Sequence, residues 1–187
     1  EMKKIIISGF MLISSLTYSQ IILGDEVGTA VDKTSVLLEF AKNQNRGIIL
    51  PYVRVLPTGS ALTEGTILLD ATDATQASVR FFNGTEWVDL SNERSADVTT
   101  HLSIQPNNAT GEEDSKVIIG AESSDADGIL VLESNDKAMI LPMVEDTDNI
   151  LNPAPGMMVY VNNQGRKRLA VFNGNAWTYW RAALDFD

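Results

Sequence analysis

The chain has no cysteine and a single histidine, His101. Without thiols there are no disulfide staples, no thiolate nucleophile and no cysteine for lipid attachment. One histidine excludes the histidine-rich zinc sites, which draw on several His or Cys ligands. It also leaves little for nucleophilic catalysis: His101 lies in a polar stretch, and no serine sits in a Gly-x-Ser-x-Gly turn. Positive charge is scarce, 14 Lys and Arg against 25 Asp and Glu, for a formal charge of −11. That balance argues against binding nucleic acid or an anionic membrane by bulk electrostatics. Beyond the first twenty residues no run is long and apolar enough to cross a bilayer, so no transmembrane segment is expected in the mature chain.

The N-terminus is the exception to that pattern. Met2-Lys3-Lys4 makes a short basic start, Ile5 to Leu16 is apolar but softened by Ser8, Gly9, Ser14 and Ser15, and Thr17-Tyr18-Ser19 offers small residues ahead of Gln20. This predicts a cleaved N-terminal signal helix over residues 1–19. The expected destination is the cell surface, the outer membrane or the extracellular space, with the periplasm as the alternative. The mature chain has 168 residues (187 − 19) and, without Glu1, Lys3 and Lys4, a formal charge of −12. With no disulfides, its stability must come from packing, bound ions or association.

What the chain does have is a duplication. Gly47-Ile48-Ile49-Leu50-Pro51 returns as Ala138-Met139-Ile140-Leu141-Pro142, 91 residues on (142 − 51), and Gly65 maps onto Gly156 at the same spacing (156 − 65). Phe82-Asn83-Gly84 with Trp87 returns as Phe172-Asn173-Gly174 with Trp177, at a spacing of 90 (177 − 87). Further back, Gln20 to Gly24 resembles Lys116 to Gly120, and Val36-Leu37-Leu38-Glu39 resembles Leu130-Val131-Leu132-Glu133. A residue set that recurs at matched positions is a folding signature before it is a site. Pro51, Trp87, Pro142, Gly156, Tyr160, Asn173, Gly174 and Trp177 are therefore structural anchors of the repeat.

Within each unit the apolar runs are short, rich in Ile, Val, Leu and aromatics, and bounded by Asn-Gly, Pro-Gly and Asn-Asn. That is strand chemistry. Asn83-Gly84 and Asn173-Gly174 predict hairpins with type I′ turns, which would bring each Phe close to its Trp across the strands. Helical periodicity reaches at most a turn or two, at Thr34 to Asn43 and Glu145 to Asn152. The expected fold is all-β: two small tandem β-modules of hairpin-rich sheets, residues 20–90 and 115–187, joined by a polar linker, residues 91–114, in which Val98 to Ile104 is one short strand.

Unit two carries Leu132-Glu133, then Ala138 to Pro142, Pro153 to Tyr160 and Phe172 to Trp177. This succession resembles a module of exported and cell-surface proteins of Bacteroidota-type bacteria, and it is similar to strand-turn-Trp units of phage tail-fibre-like proteins. Unit one departs from it: Leu69 stands where Tyr160 does, and Pro57-Thr58-Gly59 to Gly65 is a looser Pro-Gly loop. The resemblance implies a non-enzymatic β-module of surface assemblies, trimeric in fibre-like relatives.

The residues themselves offer little catalysis. The carboxylate clusters Glu112-Glu113-Asp114, Glu145-Asp146-Asp148 and Asp70-Asp73 read as solvated loop charge: a glycosidase needs two carboxylates opposed across a cleft, and the sequence gives no reason to choose two. Asp125-Ala126-Asp127-Gly128 is the one candidate for calcium, but Ser134 stands where an EF-hand loop would carry its last Glu. No other cofactor is expected. Trp177 and Tyr179 share a face of an extended segment and Trp180 points the other way. Trp180 has no aromatic counterpart, because Leu90 aligns with it, which makes Trp180 with Tyr179 a candidate interaction surface. Arg166-Lys167-Arg168 is the second, a basic cluster able to meet an acidic patch on a neighbour. The expected function is a non-enzymatic, exported subunit of a cell-surface or outer-membrane assembly, fibre-like or adhesive. Its expected partners are other surface proteins or further copies of itself, a trimer included. The alternative is a carbohydrate- or matrix-binding module using the aromatics near the C-terminus.

Overall fold

The computed structural model describes residues 21–24, 28–59, 62–105, 116–126 and 128–180; the signal segment lies outside them. The first unit contributes β1 (Ile21–Leu23), β2 (Val36–Phe40), β3 (Ile48–Ile49), β4 (Tyr52–Val53), β5 (Ile67–Asp70), β6 (Ser78–Phe82) and β7 (Trp87–Asp89). A short helix, α1 (Thr99–Ser103), follows. The second contributes β8 (Val117–Ile119), β9 (Leu130–Leu132), β10 (Ala138–Met139), β11 (Met143–Val144), β12 (Met157–Val161), β13 (Arg168–Phe172) and β14 (Trp177–Trp180). Among the described residues the fold is all-β with one short helix, and the same seven-strand sequence occurs twice.

Pairing inside the units is duplicated too. First and second strands are parallel, β1 with β2 and β8 with β9. Fourth and fifth are parallel, β4 with β5 and β11 with β12. Fifth, sixth and seventh form an antiparallel meander in both units. The third strands behave differently, since each leaves its own unit. β10 adds in parallel to β2, placing Ala138 opposite Val36 and Met139 opposite Leu38. β3 adds antiparallel to β12, placing Ile49 opposite Met157 and Ile48 opposite Met158. The two units are thus interlocked by exchanged strands, not strung along the chain.

The hairpins form where Asn-Gly predicts them, and the aromatics meet as expected. Ring centroids lie 5.6 Å apart for Phe82 and Trp87 and 5.3 Å apart for Phe172 and Trp177, tilted pairs suited to aromatic quadrupoles. The turns are not type I′, however. Phe82 pairs directly with Trp87, so the loop has four residues, and the positive φ is at Gly84 (95°) while Asn83 stays on the negative side. The Asn83 side-chain oxygen accepts the N–H groups of Thr85 and Glu86, and that of Asn173 accepts those of Asn175 and Ala176. An amide folded back on its own turn satisfies donors that a two-residue loop would not expose, and it favours the longer loop.

Three local expectations change with tertiary context. Thr34 to Asn43 holds β2, because strands on both edges bury Val36 to Glu39 in succession, and such a continuous run has no period to separate helix from strand. Glu145 to Asn152 contains only a 3-10 turn at Thr147–Asn149, with the Asp146 side chain accepting from Asp148 N–H. Val98 to Ile104 contains α1 instead of a strand: Val98 and Leu102, four apart, both pack into the core, and Asp97 accepts the N–H of Thr99.

The main core draws on both units. Leu50, Leu69, Val79, Val98 and Leu102 pack with Met158 and Val171 in one cluster. Burying a side chain of this size stabilises by about 1.5–3 kcal/mol. Because both units contribute, neither can bury this surface alone.

Candidate self-association surfaces

Among the described residues, four side-chain hydrogen bonds tie the C-terminal half to unit one and to the stretch that follows it. Tyr52 Oη donates to Pro155 O at 2.8 Å, and burial pushes that phenol up. Asn173, 1% exposed, donates through Nδ2 to Arg94 O at 2.8 Å. Thr178 Oγ1 donates to Ser91 O at 3.2 Å, and Trp180 Nε1 to Leu90 O at 2.8 Å. The stretch 91–105, expected as solvated linker, receives two of these bonds, and Ser91, Ala96, Val98 and Leu102 within it are buried.

The sequence-predicted aromatic surface is now placed. Trp180 and Tyr179 are 38% and 39% exposed at the outer strand β14, so each offers part of a ring to solvent while its polar atom is held. Tyr179 Oη and Thr147 Oγ1 share a hydrogen bond of 2.8 Å, and the Arg168 guanidinium stacks over the Tyr179 ring at 3.7 Å. Trp177 lies partly buried against the Val144, Met157 and Val159 cluster. Trp177, Thr178, Tyr179 and Trp180 line an open groove with Asn92 and Arg94. Of the basic cluster, Arg166 and Lys167 are exposed ahead of β13, while Arg168 is half-buried on it. The structure therefore splits the cluster: one member braces an aromatic and two face solvent.

The acidic candidates do not converge. Asp125 is exposed, Asp127 lies outside the described residues, and no group of three His, Asp or Glu among the described residues is placed to hold a metal ion. His101 is exposed on α1. Among the described residues Glu39 is the one carboxylate with no exposure at all, accepting from Ala30 N–H and from Lys33. Burial opposes its ionisation. The bonds from Ala30, Lys33 and Thr29, with the charge of Lys33, outweigh that burial and hold the carboxyl below its ordinary value.

Exposed apolar strand is the surface that local reasoning undervalued. Val117 (57%), Ile129 (72%) and Leu130 (47%) are exposed along the parallel pair β8–β9, and Ile49 (54%) on β3. At Leu130 the repeat counterpart shows that this is a matter of covering, not of sequence. Val36 is 4% exposed where Leu130, its match, is 47%. Gly156 is buried while its match Gly65 is exposed. The signal was present in the duplication: two equal sequences with unequal surroundings mark the places where one copy lacks a neighbour.

Among the described residues no helix is long and apolar enough to cross a membrane. No curated protein and no solved structure matches the chain. Residues 118–184, which run from within β8 through β14 and slightly beyond, match a family model described as a phage tail like trimerisation region, so this stretch is related to phage tail-fibre-like proteins.

Proposed function

We propose that the protein is a self-associating structural subunit of a fibre-like assembly, exported through its signal segment and acting at the cell surface without catalysis. The observation that carries this reading is the coincidence of two facts on unit two. It is the stretch that resembles a trimerisation region, and it leaves apolar strand exposed at Val117, Ile129 and Leu130. Strand edges and apolar side chains left open in one chain are suited to pairing with another. The strongly acidic surface serves solubility before assembly.

The test is light scattering of the mature chain after size exclusion, across a concentration series. A defined oligomer, with the trimer as the first expectation, supports the reading. A monomer at every concentration refutes it. A second reading, glycan binding, draws on the groove lined by Tyr179, Trp180, Asn92 and Arg94. Quenching of Trp fluorescence by a glycan panel, lost in Trp180→Ala, is what it requires.

A further inference from the structure

The exchanged third strands imply a rule, and the described residues leave that rule half satisfied. A third strand covers the second strand of the preceding unit, as β10 covers β2, and it covers the fifth strand of the following unit, as β3 covers β12. Among the described residues no third strand covers β9, and none lies beside the start of β5, at Thr66 and Ile67, ahead of the residues that pair with β4. We infer that a second copy of this chain supplies both, docking its unit one against unit two of the first: β3 of the second copy pairs in parallel with β9, while β10 of the first copy pairs antiparallel with β5 of the second. This rests on the self-association reading above and adds which strands meet and in what register.

Backbone parity supports it. Ala138 and Ile140 donate their N–H groups to Ser35 O and Leu38 O when β10 covers β2. Their counterparts 91 residues earlier are Gly47 and Ile49. On β3, by contrast, Leu50 donates to Gly156 O, which turns alternate residues toward β12 and leaves Gly47 and Ile49 facing the other way. The outer edge of β3 is therefore the edge that β10 uses on β2. Conversely, the outer edge of β10 carries Leu141, the counterpart of Leu50, and is the edge that β3 uses on β12. Two open edges and two open sockets match in pairs.

Burial tells the same story. In β2, covered by β10, Val36 to Glu39 are all buried, whereas in β9 Leu130 is exposed and Val131 and Leu132 are half-buried. Where β3 lies beside Gly156, a Cβ there would meet Leu50 O and Leu69 Cβ at 3.4 Å; at Gly65 nothing stands within 4 Å. Two of the changes between the contacts are reciprocal. Ala138 stands where Gly47 does, and Thr66 stands where Met157, whose side chain crowds Gly47, does. By the register of β10 on β2, Gly47 of the second copy falls opposite Leu130 and Ile48 opposite Leu132. The contact joins different surfaces of the two copies, so it closes into a ring or continues as a filament. The match of unit two to a trimerisation region favours closure at three chains.

The test compares proline at two repeat-equivalent positions. Ile49→Pro removes the N–H assigned to the neighbouring copy while leaving the bonds of Leu50 to Gly156 in place. Ile140→Pro removes the same group from the intrachain contact with Leu38. We expect Ile49→Pro, and independently Leu130→Lys, to weaken self-association by roughly tenfold or more with the urea midpoint of the monomer unchanged. Ile140→Pro is expected to lower that midpoint. As a direct readout, the cysteine-free chain carrying Ile49→Cys is mixed with one carrying Leu130→Cys and a short bismaleimide, and the mixed dimer is expected to dominate over either like pair. Self-association that survives both Ile49→Pro and Leu130→Lys unchanged, with like pairs crosslinked as readily as mixed ones, overturns this pairing and leaves the self-association reading standing. A wild-type chain that stays monomeric overturns the reading itself.

Discussion

The two turn asparagines give an internal control for what holds the units together. Asn83 and Asn173 occupy the same place in the repeat, and each side-chain oxygen accepts two turn N–H groups. Only Asn173 is buried, and its Nδ2 reaches back to Arg94 O in the stretch after unit one. Asn83→Ala removes two exposed turn bonds, a net loss of about 1 kcal/mol. Asn173→Ala removes the same two bonds and a third, the part-buried bond from Nδ2 to Arg94 O, which adds about 0.5–1.5 kcal/mol. The expected totals are therefore about 1 kcal/mol against about 2 kcal/mol. In a domain of this size each kcal/mol shifts the melting temperature by roughly 2–4 °C. The assay is urea unfolding of both variants at one fixed low protein concentration, since association raises apparent stability. Wild-type and Asn173→Ala chains are also expected to share a single cooperative transition, because the main core spans both units. Equal midpoints for the two variants would refute the reasoning, as would separate transitions in the wild type.

Two further outcomes are expected. Trp180→Phe keeps a ring on β14 but leaves Leu90 O without its indole donor, a cost of about 1 kcal/mol read as a lower urea midpoint; an unchanged midpoint would show that the bond contributes nothing. The Glu39 carboxyl is held below its ordinary value, so its stabilising share is complete above the unfolded-state value near ~4.3 and is lost as pH falls through the lower folded value. Asp32, Asp73 and Asp97, each lowered mainly by a hydrogen bond from the threonine two residues on, titrate with the same sign. Glu39→Gln should therefore lower the midpoint at pH 7 and flatten, without abolishing, its decline in acid; an unaltered pH profile would count against the buried Glu39–Lys33 pair.

How much was legible in advance follows from the range of each interaction. Strand chemistry, the hairpins and the Phe–Trp pairs are set by residues within a few positions of one another, so Phe172-Asn173-Gly174 and Trp177 announce their hairpin directly. Turn type was less legible, because an Asn can either adopt positive φ or fold its amide onto the turn, and the structure shows the second. Trp180 stood out by lacking a counterpart, yet its indole bonds to Leu90, the residue it replaces in the alignment, a contact that only the packing of β14 against the end of β7 creates. Parallel pairing was not legible at all. β1 with β2 and β4 with β5 join strands across long loops, and no local pattern distinguishes such a strand from one that returns in a hairpin.

The sequence by itself determined the all-β character, the duplication and its anchors, and the absence of side chains for thiol or multi-histidine chemistry, because these depend on composition, period and turn residues. Only the tertiary structure decided that β3 and β10 trade units, that Glu39 and Asn173 are buried, and that Ser91, Ala96, Val98 and Leu102 of the stretch after β7 are buried too. The physical reason is that a two-residue strand such as Ile48–Ile49 carries too little local preference to choose its partner. Its choice is made by the edge that buries it, and that edge lies more than a hundred residues away on β12.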